Sequence, residues 1–229
     1  CAIEGWQTVP AMPVISGEAR YEGLEITPPV TTQNVREAFW AHTLNSGCAG
    51  HTYGANGVWQ VNLTTQAFGK SPSVFCWGNQ PWAQAMLRPG ASQLGLAKQF
   101  LATLPWETLT PMPRKISWLE KLLQKNLRLK KILTKLNIDP PAPNPIAACI
   151  TIEADVMLVY TTTLRSMKIH LSIQPQKNNL QAYWIDPTNF RRHVIDKDLT
   201  PKTRTFMARP PAKNAAGETD WLLLVCTKN

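Results

Sequence analysis

Most of the motifs that would announce a chemistry outright are missing from this sequence. There is no G-x-S-x-G elbow, no G-x-G-x-x-G and no G-x-x-x-x-G-K-[ST], so serine-hydrolase and nucleotide chemistry have no foothold. No apolar run approaches the roughly 18 uncharged residues that a membrane-spanning helix needs. Cys1, Cys48, Cys76, Cys149 and Cys226 are scattered and form no C-x-x-C pair. Zinc-ribbon spacing is therefore absent, an odd number argues against a disulfide framework, and buried thiols are expected. A charged segment leading into an apolar one is missing from the start, so no signal peptide is visible. The chain opens on Cys1 rather than Met. The expectation is either a start removed by processing or the C-terminal part of a longer protein.

What is there makes a folded protein. Of 229 residues, 44% are hydrophobic and 17% charged, enough apolar matter for a core and too little charge for disorder. The 19 prolines imply many loops and turns. A net charge of +9 suggests a nucleic-acid or anionic-membrane partner until it is located. Between Met112 and Asn137 stand Arg114, Lys115, Lys121, Lys125, Arg128, Lys130, Lys131 and Lys135 against Glu120 alone. The rest of the chain is nearly balanced, so the global charge reports one patch, and no nucleic-acid partner is favoured.

Three blocks follow one another. In residues 1–110, short apolar runs, Gly-rich loops and helical stretches alternate. Met12–Ile15 reads as a brief buried strand. Thr32 can N-cap a helix with Val35, Ala38, Phe39 and His42 on one face, closed by Gly47. Cys48–Tyr53 reads as a second strand. A helix near Trp82 breaks at Pro89-Gly90, and another carries Leu94, Ala97, Phe100, Leu101 and Leu104. Strand, helix, strand, helix is the rhythm of a parallel α/β fold, but two strands cannot cover both faces of such a sheet. The block therefore looks like the end of a barrel. Residues 111–145 read as a basic amphipathic helix between prolines. Trp118, Leu122, Leu129, Ile132, Leu133 and Leu136 lie on the apolar face, fitted to pack on the protein, though a nucleic-acid or anionic-lipid surface would suit the same pattern. In residues 146–229, apolar runs or alternation at Ala148–Ile152, Val156–Thr161, Met167–Ile173, Leu180–Ile185, Arg192–Ile195, Thr203–Ala208 and Trp221–Cys226 read as an antiparallel β-sandwich. The expected fold class is thus α/β plus all-β, the C-terminal part of a (β/α)8 barrel followed by a sandwich.

Candidate chemistry concentrates in two stretches. In Pro13–Gly23, Glu18 directly follows a short strand, at the mouth where parallel barrels build their active sites. It is either catalytic or a buried, hydrogen-bonded structural carboxylate. Glu22, deeper in the loop, is more suited to orienting Arg20 or nearby backbone than to reacting. In Gly50–Trp59, glycines permit close approach while His51, Tyr53, Asn56 and Trp59 offer polar groups and a flat ring, a combination that suits sugars. His51 alone would more often be a structural histidine. Without a second His or Cys at ligand spacing, neither a metal site nor a cofactor is expected. Trp184 and Trp221 fall within strand patterns and read as core.

These segments carry a resemblance. PVISGEARYEG, REAFWAHTLNSGCAGHTYGANGVWQ, SPSVFCWG, PWAQAMLRPGASQL and LPWETLTP, in order, resemble the last part of the apiosidase-like glycoside hydrolases, which are (β/α)8-barrel enzymes. LVYTTT, AYWIDPTN, TFMARPP and TDWLLLV resemble the β-sandwich that follows that barrel. The resemblance implies that the two strands are the seventh and eighth of the barrel and that Glu18 is the catalytic nucleophile. It also implies that Tyr21, Glu22, His51, Tyr53, Asn56 and Trp59 bind a carbohydrate substrate. The partner carboxylate would come from an earlier strand, in an N-terminal barrel half that this chain lacks. Ala19 and Arg20 depart from the family's usual residues at the pocket rim. Export to a periplasm or the cell exterior is implied as well. Without that half the chain is expected to be inactive alone; a non-catalytic carbohydrate-binding role is the alternative.

Overall fold

The computed structural model describes residues 2–46, 49–65, 77–112, 147–151, 153, 155–171, 179–200, 203 and 205–228. Among these residues four α-helices come first: α1 (Ala2–Trp6), α2 (Thr32–Asn45), α3 (Trp82–Ala85) and α4 (Pro89–Leu101). Eight strands follow: β1 (Leu109–Pro111), β2 (Ala147–Thr151), β3 (Val156–Thr161), β4 (Met167–His170), β5 (Leu180–Ile185), β6 (Arg192–Leu199), β7 (Thr205–Ala208) and β8 (Trp221–Thr227). The expected basic helix and its linker lie outside the described residues, apart from their first two positions.

The strands build a six-stranded antiparallel sheet in the order β1-β2-β3-β8-β5-β6 and a two-stranded sheet, β4-β7. All seven expected strand regions overlap an observed one. The turn at Asp186–Asn189 is present between β5 and β6, where the Asp186 carboxylate accepts the N–H (2.8 Å) and hydroxyl (2.6 Å) of Thr188, a side chain closing the turn on its own backbone. Strand β1 was not anticipated. It joins the end of the helical block to the sheet by pairing with β2.

Both faces of the large sheet are covered, which explains why β3 (VMLVYT) and β8 (WLLLVCT) are apolar almost throughout rather than alternating. Leu158, Tyr160, Leu222 and Leu224 share one core with Val35, Phe39 and Trp40 of α2 and Leu94, Ala97, Phe100 and Leu101 of α4. Met157, Val159, Leu223 and Val225 point the other way, onto Met167, Ile169 and Ala208 of the small sheet. In β4 the expected period-two alternation survives because its outer face meets solvent. Trp184 and Trp221 are buried in this second core, as their strand positions suggest.

Several local expectations shift. The N-cap of α2 is Thr31, not Thr32: its hydroxyl accepts the Asn34 N–H while the Asn34 side chain accepts the Thr31 N–H, a reciprocal capping box. Pro89-Gly90 opens α4 rather than breaking a helix, because proline's missing N–H costs nothing at the first helical position. Leu104 lies past the end of α4. Met12 (55% exposed) and Ile15 (64% exposed) are not buried, because nothing among the described residues covers that side of the segment. Gly47, Cys48, Cys76 and Cys1 lie outside the described residues. Cys149 is buried and Cys226 half-buried, neither in a disulfide, and burial pushes the Cys226 thiol pKa up.

Candidate active site

The two extended segments that carry the candidate residues lie side by side and parallel, bridged at Ser16–His51 and Glu22–Ala55. Ser16 N–H donates to Gly50 C=O (3.1 Å), Thr52 N–H to Ser16 C=O (2.9 Å), Glu22 N–H to Gly54 C=O (2.8 Å) and Asn56 N–H to Glu22 C=O (2.8 Å). Between the two bridges the chain bends at Gly17 and Glu18, and the candidate side chains divide between an inner and an outer side.

On the inner face, against the helices, His51 stands edge-on to Phe39 and beside His42, both of α2. His51 and Tyr53 line a hollow of about 550 Å³ with Phe39, Thr43, Leu94, Lys98 and Trp106. Burial, reinforced by His42, lowers the His51 pKa to about 4, so this imidazole is neutral at ordinary pH. Among the described residues its two ring nitrogens have no hydrogen-bond partner.

Glu22 is fully buried in the same layer, with no exposed surface. Its carboxylate accepts the Thr32 hydroxyl (2.5 Å), the Tyr53 hydroxyl (2.6 Å) and the Gly90 N–H (3.1 Å). The last bond caps the N-terminus of α4, where backbone N–H groups favour a negative charge. Burial first, then the bond to Glu22, pushes the Tyr53 phenol well above its usual pKa, so it stays a donor. Asn56 is likewise buried and spends its amide on the carbonyls of Gly23 (3.3 Å) and Trp77. Glu22 and Asn56, expected to touch substrate, are buried and hold neighbouring loops, while Tyr53 donates to Glu22 and also borders the hollow. Glu22 orients neighbouring backbone as expected, but its partners are Thr32, Tyr53 and Gly90 rather than Arg20.

The outer face differs. Glu18 is exposed, which separates it from the buried structural carboxylate that was its alternative. Tyr21 donates its hydroxyl to Glu18 Oε1 at 3.3 Å. Burial and then the Glu18 charge raise the Tyr21 pKa, keeping the phenol protonated beside the carboxylate. The Tyr21 ring packs on Trp59, centroids 5.3 Å apart and planes inclined 33°, and Trp59 stays 44% exposed. The structure thus brings Glu18, Tyr21 and Trp59 together and places His51 in a different cluster. Among the described residues, no group of three or more His, Cys, Asp or Glu side chains could hold a metal.

Missing from the sequence reading is a second polar cluster behind the site. Arg36 of α2, 1% exposed, forks onto Asp220 just before β8, Nε–Oδ2 and Nη2–Oδ1 each 2.8 Å. Its Nη1 donates to Gln93 of α4 (2.6 Å), and Nη2 also meets Glu218. Asp220 further accepts the Tyr160 hydroxyl (2.9 Å) and the Asn214 amide (2.8 Å). Burial by itself would lower the Arg36 pKa, but Asp220 and Glu218 hold it above its ordinary value. A signal was present: Arg36, Trp40 and Leu44 recur at four-residue spacing on the buried face of α2, and a charge in such a stripe requires a partner.

Residues 2–108 match the family described as "Apiosidase-like, catalytic domain". A solved structure titled "Glycoside hydrolase" superposes with TM-score 0.69 at 20% identity, over 99% of this chain and 45% of its own. A glycoside hydrolase family 5 protein from Bacteroides vulgatus gives TM-score 0.68 at 20% identity, over 96% of this chain and 42% of its own. At such identity the likeness is one of fold, and the chain spans less than half the length of either structure. No curated protein matches the sequence. The family match covers residues 2–108, the stretch that carries Glu18 and the two parallel segments, so this part of the chain is similar to the apiosidase-like catalytic domain.

Proposed function

We propose that the chain is the C-terminal part of a glycoside hydrolase acting on plant or bacterial polysaccharide side chains, with Glu18 as its nucleophile or base. In this reading residues 1–110 are the last two strands and helices of a (β/α)8 barrel and residues 146–229 are a β-sandwich behind it, with residues 111–145 joining them. The observation that carries it is Glu18, exposed where a parallel segment ends, with the Tyr21 hydroxyl on one oxygen and the Trp59 indole beside it. A carboxylate next to a flat ring suits a sugar, whose C–H face stacks while its anomeric carbon meets the oxygen. The Tyr21 hydroxyl, donating to Glu18 Oε1, fixes the direction in which that oxygen faces, as a nucleophile or base requires.

Glycoside hydrolysis needs a second carboxyl group, about 5–5.5 Å away for retention or about 6.5–9.5 Å for inversion. Glu22 cannot be that group, since its oxygens already accept Thr32, Tyr53 and Gly90. The bare outer face at Ile15 and Thr52 is where an N-terminal barrel half would close the ring and supply the acid. Such an enzyme would work in a periplasm or outside the cell, where its polymeric substrate lies.

Two measurements test this. In the protein complete with that half, Glu18→Gln is expected to lower kcat by orders of magnitude; near-normal turnover refutes the assignment. Residues 1–229 alone are expected to bind oligosaccharide weakly without cleaving it, and normal turnover by them refutes the need for a partner. A complete protein that binds polysaccharide but cleaves none would favour a non-catalytic binding role.

A further inference from the structure

Two polar ties join the same pair of helices one turn apart. At the outer tie, Glu22 accepts from Thr32, the first residue of α2, and from Gly90, the second residue of α4. At the inner tie, Arg36 of α2 donates to Gln93 of α4 and is itself held by Asp220. Thr32 and Arg36 are four apart and Gly90 and Gln93 three apart, so each pair lies along one face of its helix. An α-helical turn is stiff, and fixing one end of it fixes the other.

We propose that Asp220, through Arg36 and the first turns of α2 and α4, positions Glu22 and with it the Glu18–Tyr21 loop. Arg36 and Glu22 are then positioning residues of the site. The geometry favours coupling over two separate structural bonds because each tie spans both helices and neither has slack. Arg36 and Asp220 are buried, and four different donor or acceptor groups converge on the pair: Gln93, Glu218, Tyr160 and Asn214. Moving either helix would break several charge-assisted bonds at once. Glu22 accepts only neutral donors at the far end, so its place depends on where the two helices put them. From Glu22 the backbone continues into the loop through its own bonds to Gly54 and Asn56. Spatial succession alone does not show coupling, so a two-ended measurement is required.

The inference rests on the proposal that Glu18 and Tyr21 face the substrate, but its test uses none, so the two can fail separately. Amide exchange of the Glu22, Gly23 and Asn56 N–H groups, and the ring-to-ring NOE between Tyr21 and Trp59, are recorded for the full chain. Asp220→Asn is expected to speed exchange at Glu22 and Asn56 by about tenfold, within the usual range of coupling between sites, and to weaken the NOE. Arg36→Lys, which keeps the charge but loses the fork, is expected to fall between this variant and wild type. Leu223→Ala, which opens the core on the far side of the sheet, supplies a comparable loss of stability without touching the ties. It is expected to leave both readouts as in wild type. Should Asp220→Asn fail to fold, Arg36→Met with Asp220→Leu strands no Arg36–Asp220 charge and is expected to show the same loosening. Unchanged protection at Glu22 and Asn56 in the folded Asp220 variant, or in that double variant, overturns the proposal. So does an equal effect from Leu223→Ala.

Discussion

The ring of Tyr21 lies against the backbone of Gly54, in the space a side chain there would need: a Cβ on residue 54 would come within 2.2 Å of the ring. The glycine is required by this close approach, and it sets Tyr21 between Glu18 and Trp59. Gly54→Ala is expected to displace the phenol and break its bond to Glu18. In the proposed enzyme that would cut kcat/KM by about tenfold to a hundredfold, the scale of a lost transition-state contact. Thermal unfolding should change little, because Tyr21 is only partly buried. A variant with normal kinetics would show that the phenol does not serve Glu18.

Burial of neutral His51 predicts an acid-sensitive fold. Its pKa is about 4 when folded against an ordinary 6.5, so above about pH 6.5 both states are unprotonated and stability does not depend on this group. As pH falls toward 4 the unfolded chain takes up a proton that the native imidazole refuses, and stability is lost across that window, on the order of 1–3 kcal/mol. His42, lowered by burial, acts in the same direction. Urea midpoints measured between pH 7 and pH 4 should fall, and His51→Gln should flatten the slope. An unchanged slope in that variant would assign the acid sensitivity elsewhere.

Removing one partner of the buried Arg36–Asp220 pair leaves the other charged and without its fork. Asp220→Ala is expected to cost about 3–5 kcal/mol, whereas replacing both partners by apolar residues of similar volume should cost much less. Denaturant titration of the single and double variants checks this. Equal losses would mean that packing rather than charge dominates.

Leu158 is wholly buried at the centre of the core shared by helices and sheet. Leu158→Ala should cost about 2–5 kcal/mol. Because the helical block and the large sheet contribute to one core, far-UV signal and tryptophan fluorescence should be lost in the same transition. Two separated transitions would show instead that the blocks unfold independently.

Much of this architecture was legible in the residue pattern. Each strand expected after Ile146 overlaps an observed one, because apolar runs bounded by turns leave the backbone few alternatives. The helix after Thr31 and the one carrying Leu94 and Phe100 are also where the apolar spacing puts them. Less legible was Pro89-Gly90, where the same two residues can end one helix or begin another, and only the neighbouring chain decides. Met12–Ile15 looked buried because it is apolar, yet burial depends on what stands opposite.

The candidate site divides in the same way. Residue types and glycine spacing alone marked Glu18 and the Gly50–Trp59 stretch as places of chemistry, since polar and aromatic groups beside flexible backbone need a ligand or a brace. Which residues serve which purpose depended on the tertiary structure. Packing turned His51 and Tyr53 toward α2 and α4, and the bend at Gly17–Glu18 left Glu18 beside Tyr21 on the open side. Glu22 became a brace because two helix ends, 10 and 68 residues further along, bring donors to it. Short-range pattern determines helices, strands and turns because local sterics and hydrophobic period act within a few residues. The pairing of Arg36 with Asp220, 184 positions away, is decided only by packing, because a buried charge finds its partner in space and not along the chain.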